Sequence, residues 1–234
     1  MLFKNYKELV ENGEDKKLKN IRKDILDILS CSLESVDPYK SVKKVFSKDK
    51  IILDDNSVDL SSFDNIFLVA FGKASIGMTK AVCDSINTKK GVVVTNEKKK
   101  KIENKNIETI TGSHPIPDEN SISATEKIID LVNKCKKNDL LIVLISGGGS
   151  ALLCKPKVSL KDMQKTTDLL LKSGADIKEI NTIRKHLSDV KGGQLVKNIK
   201  CKTISLVISD IINDPLDFIA SGPTYPDSTT FSDA

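Results

Sequence analysis

A glycine-rich turn between two apolar runs is the segment of this sequence best suited to hold an anion. Residues 140–145 have the composition of a buried strand and lead into five small residues, Ser146, Gly147, Gly148, Gly149 and Ser150. Glycine has no Cβ, so a ligand can approach the backbone N–H groups of such a turn closely. A helix that begins near Ser150 would direct its free N–H groups and its dipole to the same point. We therefore predict phosphate binding here, and the alternative is a tight strand-to-helix turn that binds nothing.

Lys73 and Asp210 follow two other apolar runs and could act on a bound phosphate. Lys73 comes after residues 66–71, where a cation at the mouth of a strand-to-helix turn can meet phosphate or carboxylate. Asp210 comes after residues 203–208, at the end of a strand where open α/β sheets bind ligands. It could hold Mg²⁺ or accept a hydroxyl proton. The alternatives are an exposed lysine on a first helical turn and an aspartate that caps a helix.

His114 and Arg184 are further candidates for contact with a substrate. His114 lies in a loop stiffened by Pro115 and Pro117, where it could act as a base, contact a substrate or satisfy loop backbone. The chain has 37 lysines and arginines, of which only Arg22 and Arg184 are arginine. In such a lysine-rich chain, Arg184 indicates a position that uses the planar five-donor guanidinium, either for an anion or for a carboxylate of the protein itself.

Alternating strands and helices are predicted to position these residues. Buried strands are expected over residues 66–71, 92–94, 107–110, 140–145 and 203–208, and helices over 76–86, 119–134 and 160–172. The strand segments do not alternate in polarity, which is typical of a parallel sheet covered on both faces. Before them come an amphipathic helix over 17–35, a shorter helix over 39–46 and a hairpin over 51–60. We predict an α/β domain over residues 51–234, with the helices of residues 1–50 packed on it.

Composition argues against several classes of protein. With 39% hydrophobic residues, the 234-residue chain can bury a core. Its net charge of +5 comes from lysines mixed with acids along the whole chain, and only 4% of residues are aromatic, so nucleic-acid binding is not expected. No apolar run has the length of a membrane span and no secretory signal is present, so we expect a cytoplasmic protein without membrane contact. Five dispersed cysteines indicate neither a zinc site nor a disulfide framework.

Five segments of the chain, in this order, resemble the N-terminal half of the class II glycerate kinases, the glycerate 2-kinases that are also labelled hydroxypyruvate reductases. They are FGKASIGM, TGSHPIPDENS, LISGGGSALL, INTIRKHLSDVKGGQL and VISDIINDPLDFIASGPTYPDSTTF. The resemblance extends from about residue 18 to the end of the chain. It implies a Rossmann-like, doubly wound domain that transfers the γ-phosphate of ATP to the 2-hydroxyl of D-glycerate with Mg²⁺.

The resemblance also implies roles for individual residues. Lys73 matches the lysine of the family's G-K-A motif and Asp210 the aspartate of its S-D motif, and both roles would be catalytic, with Asp210 also near the metal. Two segments match the family's glycine-rich turns that face phosphate: residues 146–150 and residues 221–224, which begin with Ser221 and Gly222. Four residues occupy motif positions without an assigned role: His114, Asn181, Arg184 and His186.

The family has a second, C-terminal domain that closes the cleft and supplies a further catalytic cation. Thr230 and Asp233 have the spacing of a capping box, which predicts a helix from Phe231 just before the sequence stops. A helix of one turn is not stable alone. We therefore expect an incomplete polypeptide that needs the C-terminal domain to close its site.

Two other functions fit parts of the sequence. Gly72, Ala74 and Gly77 have the G-x-A-x-x-G spacing of a dinucleotide turn, and Glu97 follows about 20 residues on, as in NAD(P)H-dependent reductases. The chain could then be a hydroxypyruvate reductase. It could also be a remnant that binds nucleotide without catalysis. The kinase interpretation requires that Lys73, the glycines and Asp210 meet in one pocket.

Overall fold

A small antiparallel sheet and three helices precede the main body of the chain. The computed structural model describes residues 2–54 and 56–234. The first elements are helices α1 (Tyr6–Glu11), α2 (Lys16–Ser35) and α3 (Pro38–Lys43), then strands β1 (Phe46–Ser47), β2 (Lys50–Leu53) and β3 (Asn56–Asp59). The predicted hairpin is confirmed, since β2 and β3 pair antiparallel with Leu53 opposite Asn56. The predicted helix over 39–46 was too long at its end, because Phe46 pairs with Ile51 in the sheet.

The main body is a five-stranded sheet in which all neighbouring strands are parallel. Its elements are β4 (Ile66–Phe71), α4 (Ser75–Cys83), β5 (Lys90–Thr95), β6 (Ile107–Thr111), α5 (Glu119–Asn133), β7 (Leu140–Ser146), α6 (Gly149–Leu152), α7 (Leu160–Lys172), α8 (Ile177–His186) and β8 (Lys202–Ile208). The strand order is β6-β5-β4-β7-β8. The chain therefore winds outward in both directions from the β4–β7 pair, as the Rossmann-like, doubly wound prediction requires.

Helices cover both faces of this sheet and explain why its strands are apolar on both sides. Successive side chains of a strand point to opposite faces. On one face, Val143 and its neighbours pack against α5 through residues such as Ile128. On the other face, Leu144 and its neighbours pack against α4 through residues such as Met78. All seven residues of β7 are buried. The non-alternating apolar runs thus mark two cores that share one sheet.

The strand order creates a crevice at the carboxyl ends of β4 and β7. The chain leaves β4 toward β5 on one side, and β7 is followed by β8 on the other. Connections that diverge in this way leave an opening above the sheet, where α/β proteins bind ligands. Phe71 pairs with Ile145, and Ser146 pairs with Ile208. The residues just after β4, β7 and β8 therefore start from neighbouring positions.

The N-terminal helices differ in how they meet this body. In α3, Lys43 donates a hydrogen bond at 2.6 Å to the carbonyl of Asp84 at the end of α4. The predicted amphipathic helix α2 is present, but in the described residues Leu26 is its only buried side chain, and Ile25 and Ile28 are 51% and 65% exposed.

No helix in the described ranges is both long and apolar enough to span a membrane.

Candidate functional site

Lys73, Gly148 and Asp210 lie together at the ends of β4, β7 and β8. The backbone N–H of Lys73 donates to the carbonyl of Gly147 at 2.9 Å. A Cβ built on Gly148 would lie 3.2 Å from Cγ of Lys73, and one on Gly147 would overlap Oδ2 of Asp210. The structure thus places the lysine and the aspartate against the same glycine loop. The kinase interpretation requires these groups to meet in one pocket, and Gly147, Gly148 and Asp210 line one cavity, with Lys73 beside it.

Each glycine of the loop occupies a position where a Cβ would clash or strain the backbone. Gly147 leaves room for the carboxylate of Asp210, and Gly149 leaves room for the methyl group of Ala220, which would be 2.6 Å from an added Cβ. Gly148 has a φ of 81°, a conformation that side chains with a Cβ adopt only with strain. Three glycines in a row therefore let Asp210 and Ala220 close on the loop from two sides.

The N–H groups of Gly148 and Ser150 are available for a ligand at the cavity that these residues line. Among the described residues, no acceptor takes a hydrogen bond from the N–H groups of Gly148, Gly149 or Ser150. The helix expected after the loop is the single turn α6, so its dipole contributes little to binding an anion. The loop itself, rather than a helix end, provides the donors.

A cavity of about 300 Å³ opens in front of the loop. Its polar lining comes from the loop at Gly147, Gly148 and Ser150, from His114, from Asn181 and Arg184 on α8, and from Asp210. The structure therefore gathers most of the predicted binding residues at one opening, with Lys73 beside it. A separate cavity of about 400 Å³ lies between α2, α3 and β8, but its lining is mainly apolar and holds none of these residues.

Positive charge exceeds negative charge around this cavity. Burial lowers the pKa of His114, and the nearby cations Lys73 and Arg184 lower it further, so His114 is neutral at neutral pH. Arg184 donates from Nη2 to the carbonyl of Ser150 at 3.3 Å, and its buried Nε has no partner in the described part of the chain. Of the two expected partners for Arg184, a protein carboxylate is therefore not found, and donors remain for an anion.

Lys191 belongs to the same cluster and was not predicted. Its side chain is fully buried, and Nζ donates to the carbonyls of Ser150 at 2.9 Å and Leu153 at 2.7 Å. No carboxylate in the described ranges pairs with it. Burial and the charge of Arg184 lower the pKa of Lys191 to about 7. Lysines are normally exposed, so only the neighbouring Gly192 and Gly193 could have suggested an unusual position.

Four of the predicted phosphate contacts lie behind the cavity wall, and one of them is buried Gly149, which packs against Ala220. Ser146 is buried, and its hydroxyl accepts a hydrogen bond at 3.0 Å from the N–H of Ala74. Ser221 has no exposed surface, and Gly222 is buried with its space filled by the backbone of Asp217. These residues hold the site together and do not themselves face the opening.

His186 lies apart from the candidate site. Its Nδ1 is 4.0 Å from Oδ2 of Asp227, and its ring meets that of Phe231 edge-on, with centroids 4.6 Å apart. Both contacts are on the other side of α8 from Arg184. A helix was predicted from Phe231, but residues 231–233 form a turn. The backbone N–H of Thr230 donates to Oδ2 of Asp233 at 2.7 Å.

The possible dinucleotide turn is filled by the protein. A Cβ on Gly72 would lie 2.5 Å from the carbonyl oxygen of Ser146, so this glycine makes room for β7 rather than for a pyrophosphate. A Cβ on Gly77 would lie 3.4 Å from Cβ of Pro38. Glu97 forms an ion pair with Lys100 at 2.6 Å. Contacts within the protein therefore account for Gly72, Gly77 and Glu97 without a dinucleotide.

Comparison with known proteins gives consistent similarities. A family model described as "Domain of unknown function (DUF4147)" matches residues 24–234. The glycerate 2-kinase of Pyrococcus horikoshii is 45% identical over 92% of this chain and 49% of its own length. The D-glycerate 2-kinase of Thermotoga maritima is 42% identical over 92% of this chain and 50% of its own length.

The fold agrees with a solved structure. The crystal structure of glycerate kinase from Thermotoga maritima superposes with a TM-score of 0.81 at 41% identity, covering 92% of this chain and 50% of that one. The chain spans about half the length of the curated relatives it matches.

Proposed function

The chain belongs to the DUF4147 family, the N-terminal domain of the class II glycerate kinases, and from this premise we propose that it is the N-terminal part of a glycerate 2-kinase. The reaction would transfer the γ-phosphate of ATP to the 2-hydroxyl of D-glycerate, in the cytoplasm. The observation that carries the proposal is that Lys73 and Asp210 lie against the same glycine loop, whose unpaired N–H groups and Asp210 line one cavity with Lys73 beside it.

Phosphoryl transfer suits this set of groups. The reaction needs an in-line arrangement and neutralisation of charge on the moving phosphoryl group, with little covalent work by the protein. The N–H groups of Gly148 and Ser150 would bind phosphate oxygens, and Lys73 would offset their charge. Asp210 would orient the 2-hydroxyl and accept its proton. Neutral His114 can donate a hydrogen bond to an anion without a charge of its own.

The donor set allows Mg²⁺ only together with the nucleotide. No group of three His, Cys, Asp or Glu side chains in the described ranges could hold a metal ion by itself. Mg²⁺ is commonly held by one or two carboxylates, waters and substrate phosphates, and exposed Asp210 could supply one carboxylate. When bound, the ion would neutralise charge on the phosphate oxygens.

A two-part assay tests the proposal. The chain is incubated with ATP, Mg²⁺ and D-glycerate, first alone and then with the half of the Thermotoga maritima relative that it does not span. We expect 2-phosphoglycerate, with the higher rate when that second half is present. Product formed from hydroxypyruvate and NADH instead would favour the reductase. Binding of ATP without turnover in either mixture would indicate a non-catalytic nucleotide-binding domain.

A further inference from the structure

A chain of three side chains runs from the cavity into the protein beside the glycine loop. The hydroxyl of Ser150, which lines the cavity, lies 2.7 Å from that of Ser221. The hydroxyl of Ser221 donates at 3.2 Å to Oδ1 of Asn181. Ser221 has no exposed surface and Asn181 is 3% exposed. Water therefore has little access to the two inner members.

Counting protons fixes the direction of this chain. A serine hydroxyl has one proton to donate and two lone pairs that accept. Ser221 gives its proton to Oδ1 of Asn181, so its bond with Ser150 needs the proton of Ser150. Ser150 then has no proton left for the cavity and presents only lone pairs to a ligand.

This direction separates phosphate from hydroxyl ligands. Phosphate and carboxylate oxygens are acceptors, and Ser150 has no donor to offer them. A ligand hydroxyl is a donor and can be accepted. Asn181 has the opposite capacity. Its Oδ1 accepts the proton of Ser221, and its amide Nδ2 can donate to a ligand at the cavity lining. Together these residues offer an acceptor for a hydroxyl and a donor for a carboxylate.

We propose that Ser150 is a specificity residue that accepts a hydrogen bond from the C3 hydroxyl of a dihydroxy acid substrate. The inference rests on the proposed function, in which the proton of the 2-hydroxyl goes to Asp210. Phosphate is left to the loop N–H groups, Lys73 and Arg184. The expectation that every residue of the loop binds phosphate is thereby refined at Ser150.

The surroundings hold Ser150 in place before any ligand binds. Its carbonyl accepts hydrogen bonds from Lys191 at 2.9 Å and Arg184 at 3.3 Å. Ser221 lies in a left-handed segment with φ of 62°, between Ala220 at 51° and Gly222 at 58°. Strained backbone of this kind persists where the surrounding structure over-determines it. A hydroxyl fixed in this way loses little freedom on binding, which favours discrimination.

The test compares D-glycerate with D-lactate, which lacks the C3 hydroxyl. Affinities are measured by NMR titration of the 234-residue chain, alone and with the second half of the relative present. A neutral hydrogen bond of ordinary strength predicts that D-glycerate binds about 3- to 10-fold more tightly. In Ser150→Ala the ratio should fall to about one. The control Ser173→Ala, which removes an exposed hydroxyl at the end of α7, should keep the original ratio.

A second variant leaves Ser150 itself unchanged. Ser221→Ala removes the acceptor for the Ser150 proton, so Ser150 becomes able to donate to an anion, and the affinity for pyrophosphate should rise while the preference for D-glycerate is retained. Circular dichroism checks that each variant is folded.

Three results would contradict the proposal. A ratio that is unchanged in Ser150→Ala excludes Ser150 as the acceptor. A loss of pyrophosphate affinity in Ser150→Ala, with the ratio unchanged, shows that Ser150 donates to phosphate and that the proton order is reversed. If D-glycerate binds to the wild-type chain under neither condition, the proposed function itself fails, and this inference fails with it.

Discussion

Buried cations lie on two sides of α8, and they differ in how their charge is balanced. On one side, Lys185 is fully buried at its side chain and pairs with Asp227 at 2.5 Å. On the other side, Arg184 and Lys191 share the carbonyl of Ser150, and in the described ranges neither has a carboxylate within ion-pair distance.

The difference distinguishes a structural cluster from a binding cluster. The charge of a buried cation with a carboxylate partner is balanced, and removing either partner leaves an uncompensated charge. Arg184, held only by a carbonyl oxygen, keeps a positive potential that attracts an anion, and Lys191 adds to it below about pH 7, where its ammonium is charged. We therefore propose a structural role for the Lys185–Asp227 pair and an anion-binding role for the Arg184 side.

The largest expected effect is the loss of the exposed cation on the binding side. Lys73→Ala should lower kcat by about 10²- to 10³-fold in the two-part assay, because in the proposed reaction Lys73 stabilises charge that develops on the phosphoryl group. The fold should be intact, since the Lys73 side chain is exposed. Lys157→Ala is the matched control from the structural side, where Nζ donates to the carbonyl of His186. Near-normal turnover of Lys73→Ala would refute its catalytic assignment.

The second effect is a dependence of stability on pH that comes from Lys191. Its pKa is about 7 in the folded chain and that of an ordinary lysine when unfolded, so above pH 7 the unfolded state binds more protons. The free energy of unfolding should therefore rise with pH, by about 1.4 kcal/mol per unit, between about pH 7 and 8.5.

Urea unfolding at several pH values measures this slope. Above about pH 8.5 the slope should weaken, because burial raises the pKa of Cys154, and that of Cys135 to about 12, and the unfolded thiols lose protons first. Lys191→Met should abolish the rise and Lys157→Met should retain it. A rise that persists in Lys191→Met would assign it to another group.

The sequence predicted the strands and their shared edge because both depend on patterns along the chain. Apolar runs that end in glycine or aspartate identified β4, β7 and β8, and parallel pairing then brings Lys73 and Asp210 to one edge. The same reasoning could not tell which small residues face the cavity. Ser146 and Ser150 belong to one turn, yet Ser146 is buried against Ala74 and Ser150 lines the opening.

Lys191 and the exposed face of α2 were not predictable for a related reason. Burial of a lysine depends on carbonyls that distant segments supply, here those of Ser150 and Leu153. In α2, helical spacing correctly predicted the helix, but not that Ile25 and Ile28 stay largely exposed in the structure. Periodicity shows which residues share a face, and it does not show what covers that face.

The smallest expected effect tests whether the binding side needs the shape of arginine as well as its charge. Arg184→Lys keeps the positive charge but loses the planar group that can donate to the Ser150 carbonyl and to an anion at once. Loss of one charge-assisted hydrogen bond should weaken pyrophosphate binding by about 10-fold. Arg22→Lys is the matched control, because Arg22 donates from Nε to the carbonyl of Leu9, in the contact between α1 and α2. Calorimetric titration of both variants and of the unaltered chain with pyrophosphate measures the effect. If Arg184→Lys binds pyrophosphate as tightly as the unaltered chain, charge alone distinguishes the two sides of α8.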